Sequence, residues 1–266
     1  MNYRHSYLIR LQYLGFRVHG WQKQPNLKTI HLFVDKTIKF IYKGIRFKTI
    51  GVGRTDAKVS STDFAFQLFL DDTLDLNDFI ELFNLNSPAD VKAVSIEKVE
   101  DANFNIIQHP KEKEYRYYFS HGEKNHPYSA PFLVGYLNNL DIEKMQLAAK
   151  LFEGEHDFTN YCKRPNEATK VIRTINSCEI IKNTELTASF FPKVSYVLVV
   201  KGSGFMRNQI RLIMGALERV GSGVYDLEFI QKSLEKGNTI EMDKVVAPAS
   251  GLHLHKINFE NDLRKG

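Results

Sequence analysis

The order of predicted elements constrains this fold more than any other feature, because the pattern β-α-β-β-α-β occurs twice along the chain. In the first half, residues 1–103, apolar residues recur at helical spacing from Ile30 to Ile41, with Thr29 as the N-cap and Gly44 as the helix stop. Strand patterns and a second helix complete this half, with strands at residues 7–13, 47–52, 64–70 and 91–99 and a helix at residues 77–85.

The second half, residues 104–266, repeats that order after a short linker at residues 101–111 that contains Pro110. Its predicted strands are at residues 114–120, 175–182, 194–201 and 253–259, and its predicted helices are at residues 142–152, 205–220 and 227–234. Two split β-α-β units predict an α/β protein of the α+β kind. We expect two ferredoxin-like halves joined around a central cleft, with a mixed, largely antiparallel sheet.

Composition excludes several other classes of protein. The chain is 43% hydrophobic and 25% charged, which is typical of globular proteins and not of disordered or fibrous ones. No apolar run is long enough to cross a bilayer, and the first residues lack the apolar core of a signal peptide, so we expect a soluble cytoplasmic protein without membrane association. Cys162 and Cys178 lie in no Cys-x-x-Cys pair, which favours two buried thiols over a disulfide scaffold or a zinc site.

Positive charge is concentrated at the start of the chain. Residues 1–60 carry 12 Lys and Arg against 2 Asp and Glu, whereas residues 61–100 carry 2 against 9. A basic block interleaved with aromatic residues is typical of a surface that holds a phosphate backbone and stacks bases. The candidate nucleic-acid-binding residues in this block are Arg17, Trp21, Gln22, Lys23 and Lys28. The alternatives are a solvated charged face and, for Trp21, a place in the core.

Residues 51–57, Gly-Val-Gly-Arg-Thr-Asp-Ala, predict a tight loop that presents Arg54 and Asp56 at the end of a strand. Taken alone, this segment favours a surface turn in which Asp56 accepts backbone N–H bonds. Other short motifs change its interpretation.

Six motifs occur in an order that resembles the tRNA pseudouridine synthase A family, over about residues 7–259. They are Gly-Trp-Gln at residues 20–22, Gly-Arg-Thr-Asp-Ala at 53–57, Tyr-Arg-Tyr at 115–117, His-Asp-Phe-Thr at 156–159, Phe-Met-Arg-Asn-Gln-Ile at 205–210 and Gly-Leu-His-Leu at 251–254. The resemblance implies a homodimer that converts uridine to pseudouridine at positions 38, 39 and 40 of the tRNA anticodon stem-loop. It also implies that no metal or cofactor takes part.

The same resemblance implies a role for each matching residue. Asp56 matches the catalytic aspartate, Arg54 the arginine that helps to extrude the target base, and Tyr115 the tyrosine that stacks on the uracil. Arg207 matches the arginine that pairs with the aspartate, and a buried carboxylate needs such a cation to stay charged. The reaction needs an ionised carboxylate as nucleophile or as base, and the sequence leaves both roles open.

The chain departs from the family pattern at two places. Lys58 stands where the family has a glycine, which bears on the loop geometry if that position needs a positive φ. Residues 104–108 lack the Arg-Phe pair that is common in the family. Two alternatives therefore stay open: a non-catalytic RNA-binding relative, and a pseudouridine synthase that acts on other RNA positions.

Overall fold

The computed structural model describes residues 3–237 and 240–259. It divides into two units, each with its own core. One unit is the chain up to Lys111 together with the segment from Leu254 onward, and the other is Glu112–His253. The last seven residues of the predicted second half lie outside the described residues.

The first unit is built from antiparallel strands with two helices. Its elements are β1 (His5–Tyr13), α1 (Ile30–Ile41), β2 (Phe47–Gly51), β3 (Ser60–Leu70), α2 (Leu76–Asn86) and β4 (Val91–Lys98). Strand β1 pairs antiparallel with β3 and β4, and β2 pairs antiparallel with β3. The final strand, β10 (Leu252–Phe259), lies beside β3 on its other edge. The predicted order of elements in this unit is confirmed.

Helix α1 shows how local sequence sets these boundaries. The Thr29 side chain accepts a hydrogen bond from the backbone N–H of Leu32, which satisfies one of the free donors of the first turn. The helix ends at Ile41, and Gly44 follows with a φ of +84°. Its apolar face buries Val34 and Ile38 in the core of the unit.

The second unit is also mixed and largely antiparallel. Its elements are β5 (Pro110–His121), β6 (Val134–Tyr136), α3 (Ile142–Lys150), β7 (Gly154–Asp157), β8 (Ile172–Lys182), β9 (Tyr196–Gly202), α4 (Gln209–Gly221) and α5 (Leu227–Ser233). Pairings β5 with β9, β9 with β8 and β8 with β7 are antiparallel, whereas β5 with β6 is parallel. The prediction of an α+β protein with mixed, largely antiparallel strands is confirmed.

Two details of this unit differ from the sequence-based prediction. The short strands β6 and β7 were not predicted, because three or four residues carry too little alternation to be recognised. Helix α4 begins at Gln209 rather than at residue 205, because Asn208 adopts a left-handed φ of 59° that interrupts helical geometry.

Both cysteines are buried and free, as predicted. Burial raises the pKa of the Cys178 thiol, so this side chain stays neutral and acts as a small apolar group. Within residues 3–237 and 240–259, no helix is long and apolar enough to span a membrane.

Candidate active site

The loop between β2 and β3 carries Arg54 and Asp56, and its backbone is fixed from both sides. Arg54 is exposed, whereas Asp56 is half-buried. The hydrogen bonds that hold the loop run from Val52 N to Ala65 O (3.0 Å), from Lys58 N to Val18 O (3.0 Å), from Trp21 N to Thr55 O (3.4 Å) and between the hydroxyls of Tyr13 and Thr55 (3.0 Å). The carboxylate of Asp56 is therefore presented by a backbone with little freedom to move.

Gly20 explains why a Gly-Trp-Gln motif accompanies this loop. A Cβ atom at Gly20 would lie 2.1 Å from the carbonyl oxygen of Thr55, and the residue has a φ of +76°. Gly15 makes a similar approach, since a Cβ there would lie 1.9 Å from the carbonyl oxygen of Val59. The segment of residues 15–21 thus lies directly against the backbone on both sides of Asp56.

We expect Gly20→Ala to displace the Asp56 loop. The new methyl group overlaps the Thr55 carbonyl and the backbone is left-handed, so the free energy of unfolding should fall by about 2 kcal/mol or more. Gly44→Ala is the matched control, because Gly44 has a φ of +84° with no atom within 4 Å of an added Cβ. Thermal unfolding should show a larger loss for Gly20→Ala, and equal losses would show that the Thr55 carbonyl does not restrict residue 20.

Trp21 belongs to the core of the first unit, since only 1% of its surface is exposed. Its ring stacks on His31 at 4.9 Å and contacts Phe64 at 4.3 Å between centroids. A ring that is almost fully buried offers no surface to a base, so the structure favours the core alternative over RNA contact. Trp21 instead positions the Asp56 loop through its backbone bond to Thr55.

Lys58 occupies a left-handed conformation with a φ of +68°. The backbone at this position therefore has a positive φ, and this chain adopts it with a lysine rather than a glycine. The ammonium group lies 5.8 Å from the centroid of the Phe16 ring, which gives the exposed side chain a weak cation–π contact.

We expect Lys58→Gly to stabilise the first unit by up to about 1 kcal/mol, because glycine adopts positive φ without steric strain. Lys58→Ala is the control, since it removes the same side chain and keeps the strain. Chemical denaturation of both variants measures the difference. A glycine variant no more stable than the alanine variant would show that the backbone at residue 58 is unstrained.

On the second unit, Tyr115 lies in the middle of β5 and is half-buried. The ring of Phe205 meets it edge-on at 5.3 Å between centroids, which limits the orientations open to the Tyr115 ring. Tyr117, two residues along the same strand, is fully buried and donates its hydroxyl hydrogen to the Pro248 carbonyl at 2.9 Å. Of the two tyrosines, Tyr115 is therefore the one that a ligand is able to reach.

Arg207 is exposed and lies in the segment between β9 and α4. Its backbone carbonyl accepts a hydrogen bond from Lys163 N at 3.2 Å, which ties this segment to the loop before β8. Asn208, the next residue, carries the left-handed turn that starts helix α4. The pairing of Arg207 with Asp56 stays a prediction.

The other candidate RNA-binding residues lie at the surface of the first unit. Gln22 and Lys28 are exposed. The Arg17 guanidinium pairs with Asp90 at 2.9 Å, and Lys23 pairs with Asp35. Two of the three candidate cations therefore already have a carboxylate partner within the unit.

A cationic pocket on the second unit was not predicted from the sequence. It encloses about 410 Å³ and is lined by Cys162, Lys163, Arg164, Ala168, Thr169, Lys170, Arg173, Met206 and Arg207. The sequence signal for this pocket is the presence of four cations within residues 163–173, a smaller cluster than the basic block at the start of the chain.

In the part of the chain that the structure describes, no group of three or more His, Cys, Asp or Glu residues is placed to hold a metal ion. His156, which stands in one of the six motifs, makes a 2.8 Å hydrogen bond with the backbone carbonyl of Glu153. This hydrogen bond links the His156 ring to the residue that precedes β7.

Comparison with known proteins assigns the family. A family model described as tRNA pseudouridine synthase matches residues 148–260. Three relatives named tRNA pseudouridine synthase A align over nearly the whole chain. The one from Thermosipho melanesiensis is 34% identical, covering 95% of this chain and 99% of the relative. The one from Fervidobacterium nodosum is 32% identical, with coverage of 94% and 98%, and the one from Listeria monocytogenes serotype 4a is 29% identical, with coverage of 96% and 99%. The chain therefore belongs to the tRNA pseudouridine synthase A family, whose members are isomerases that act on tRNA.

Proposed function

We propose that this protein converts uridine to pseudouridine at positions 38, 39 and 40 of the tRNA anticodon stem-loop, with Asp56 as the catalytic residue. The observation that carries the proposal is the Asp56 loop itself: a half-buried carboxylate on a backbone that forms hydrogen bonds with β3 and with the segment of residues 15–21. A rigid loop supports catalysis because the reacting group is positioned before substrate binds.

The reaction is an isomerisation without oxidation or loss of atoms. The N1–C1′ bond breaks, the uracil turns, and a C5–C1′ bond forms, while C5 releases a proton and N1 gains one. Asp56 either attacks C1′ as a nucleophile or removes a ribose proton as a base, and both roles need the ionised carboxylate. No cofactor is required for either route.

The target base must leave the helical stack before its glycosidic bond is reached, at a cost of about a few kcal/mol. Arg54, exposed two residues before Asp56, helps to extrude it. Tyr115 stacks on the uracil and offsets part of the cost. Arg207 supplies the positive charge that keeps the carboxylate ionised in the closed complex.

The protein acts as a homodimer in the cytoplasm, where its tRNA substrate occurs. In this arrangement the basic block of one subunit positions the stem-loop for Asp56 of the other. A monomeric mass in solution under assay conditions would contradict the shared arrangement.

Pseudouridine mapping on tRNA incubated with the purified protein tests the function. We expect new pseudouridine at positions 38, 39 or 40 only. Pseudouridine elsewhere would favour a synthase for other positions, and tRNA binding without any pseudouridine would favour a non-catalytic RNA-binding protein.

The dependence of tRNA binding on salt concentration tests whether the basic block of residues 1–60 contacts the RNA. Recognition of an A-form stem relies on its shape and phosphates, so binding should weaken steeply as salt rises. Replacing Arg17, Lys23 and Lys28 with Ala should reduce the slope by about one unit for each phosphate that the variant no longer binds. Of the three single substitutions, Lys28→Ala should reduce the salt slope most, because Arg17 and Lys23 already pair with Asp90 and Asp35.

The control for this titration is Lys92→Ala with Lys98→Ala, which removes two exposed lysines from β4, outside the basic block. Its slope should stay near that of the wild type. Equal slopes for the wild type and the triple variant would place the RNA elsewhere.

A further inference from the structure

The cationic pocket, defined above by its lining residues, has the size of a ligand site and the charge of an anion site. Its volume of about 410 Å³ falls within the range of roughly 300–1,000 Å³ seen for ligand pockets. Five cations line it, and none of the described lining residues carries a carboxylate: Lys163, Arg164, Lys170, Arg173 and Arg207. Cations that converge on one cavity repel each other, and a bound anion relieves that repulsion.

Arg173 adds an independent observation. Its Nε atom is buried and has no hydrogen-bond partner among the described residues. Buried polar groups in native proteins nearly always have a partner, so an unpaired donor on an arginine that lines the pocket favours an anion as the ligand of this pocket. The guanidinium is the group best suited to a phosphate, because its fork of N–H donors matches the phosphate oxygens.

The pocket is continuous with a residue that we have assigned to the substrate. Arg207 forms part of its wall, and the Lys163 N–H donates to the Arg207 carbonyl at 3.2 Å. An anion held by Lys163, Lys170 and Arg173 thus lies beside the residue proposed to act at the target uridine. The negatively charged groups nearest to a uridine in an RNA strand are the phosphates on either side of it.

We propose that the cationic pocket binds a backbone phosphate of the RNA strand next to the target uridine. The inference rests on the proposed function for the identity of the strand. It assigns Lys163, Lys170 and Arg173 to the anchoring of the nucleotide that is extruded, which fixes the strand while the base leaves the stack.

A chemical double-mutant cycle tests the pocket. The probes are anticodon stem-loop RNAs in which one phosphate near positions 38–40 is replaced by an uncharged methylphosphonate. The pocket variant is Lys163→Ala with Lys170→Ala, both exposed side chains whose removal should leave the fold intact. The matched control is Lys124→Ala with Lys193→Ala, which removes two exposed lysines of the same unit outside the pocket.

For the wild type and the control, one methylphosphonate position should weaken binding about tenfold, the size expected for a hydrogen bond to a charged group. For the pocket variant, the same replacement should weaken binding by only about threefold, because two of the three side chains that hold this phosphate are absent and Arg173 alone remains. The pocket variant should also lower the salt slope by about one unit relative to the control. Additive effects at every phosphate position, or equal slopes for the two variants, would overturn the inference.

Two further measurements distinguish a site for an RNA phosphate from a site for free anions, and distinguish failure of this inference from failure of the proposed function. Inorganic phosphate that competes with RNA at constant ionic strength, without coupling in the methylphosphonate cycle, would make the pocket a free-anion site and contradict the inference. Pseudouridine formation is measured in the same wild-type samples. RNA that is bound but not converted would overturn the proposed function, while the binding cycle would still decide the pocket.

Discussion

Asp56→Asn should abolish pseudouridine formation while the protein stays folded and still binds tRNA. The amide keeps the shape of the carboxylate and removes both its nucleophilicity and its basicity, so we expect a rate loss of at least about 10³-fold. Because Asp56 lies on a loop fixed by backbone hydrogen bonds, the substitution should leave the loop in place. Single-turnover conversion of tRNA and a thermal unfolding curve measure the two effects.

Asp71→Asn is the matched control for that variant. Asp71 belongs to the same unit and pairs at the surface with Arg46 at 2.8 Å, an ion pair worth less than about 1 kcal/mol. This control should convert tRNA at the wild-type rate. Turnover of Asp56→Asn within tenfold of the wild type would overturn the assignment of Asp56.

The second large effect is expected for Arg207→Leu. Removal of a cation that stabilises charge at the reacting centre typically costs about 10²- to 10³-fold in rate, and we expect a loss of that size at saturating tRNA. Stability should change by less than about 1 kcal/mol. Breaking a buried ion pair would cost about 3–5 kcal/mol, but Arg207 is exposed and its main-chain bond to Lys163 is kept.

Arg207→Lys separates charge from geometry. It should restore part of the rate, because the charge returns without the planar fork of donors. Separate measurement of kcat and KM assigns the effect: a change in KM alone would restrict Arg207 to RNA binding in the cationic pocket, whereas a loss in kcat places it at the reaction. Wild-type kcat in Arg207→Leu would contradict its proposed role.

Helices and strands whose apolar residues recur at a regular spacing were predictable from the sequence. Helix α1 and its Thr29 cap follow from apolar spacing and one capping side chain, both of which act within a few residues. Strands β6 and β7 did not follow, because they exist through pairing with β5 and β8 rather than through their own sequence. The start of α4 was misplaced because asparagine favours the left-handed region more than most residues do but does not require it, so the residue type alone does not place a break at Asn208.

The candidate active site was predictable as a set of motifs but not as an arrangement. Gly20 and Trp21 were recognised as one motif, and the structure shows that both support the Asp56 loop: Gly20 by allowing close approach and Trp21 by its buried ring. Burial of Trp21 depends on His31 and Phe64, residues far apart in sequence that no local pattern connects. The cationic pocket also joins two segments, residues 162–173 and 206–207, that only the fold brings together.

Release of the C5 hydrogen is the most direct test of the central claim, because forming the C5–C1′ bond expels that hydrogen to solvent. An anticodon stem-loop RNA with tritium at C5 of uridines 38, 39 and 40 is incubated with the wild type and with Asp56→Asn. We predict that the wild type releases tritium in step with pseudouridine formation and that Asp56→Asn binds the RNA without releasing it. Tritium release by Asp56→Asn at the wild-type rate, or none from the wild type with bound RNA, would contradict the account.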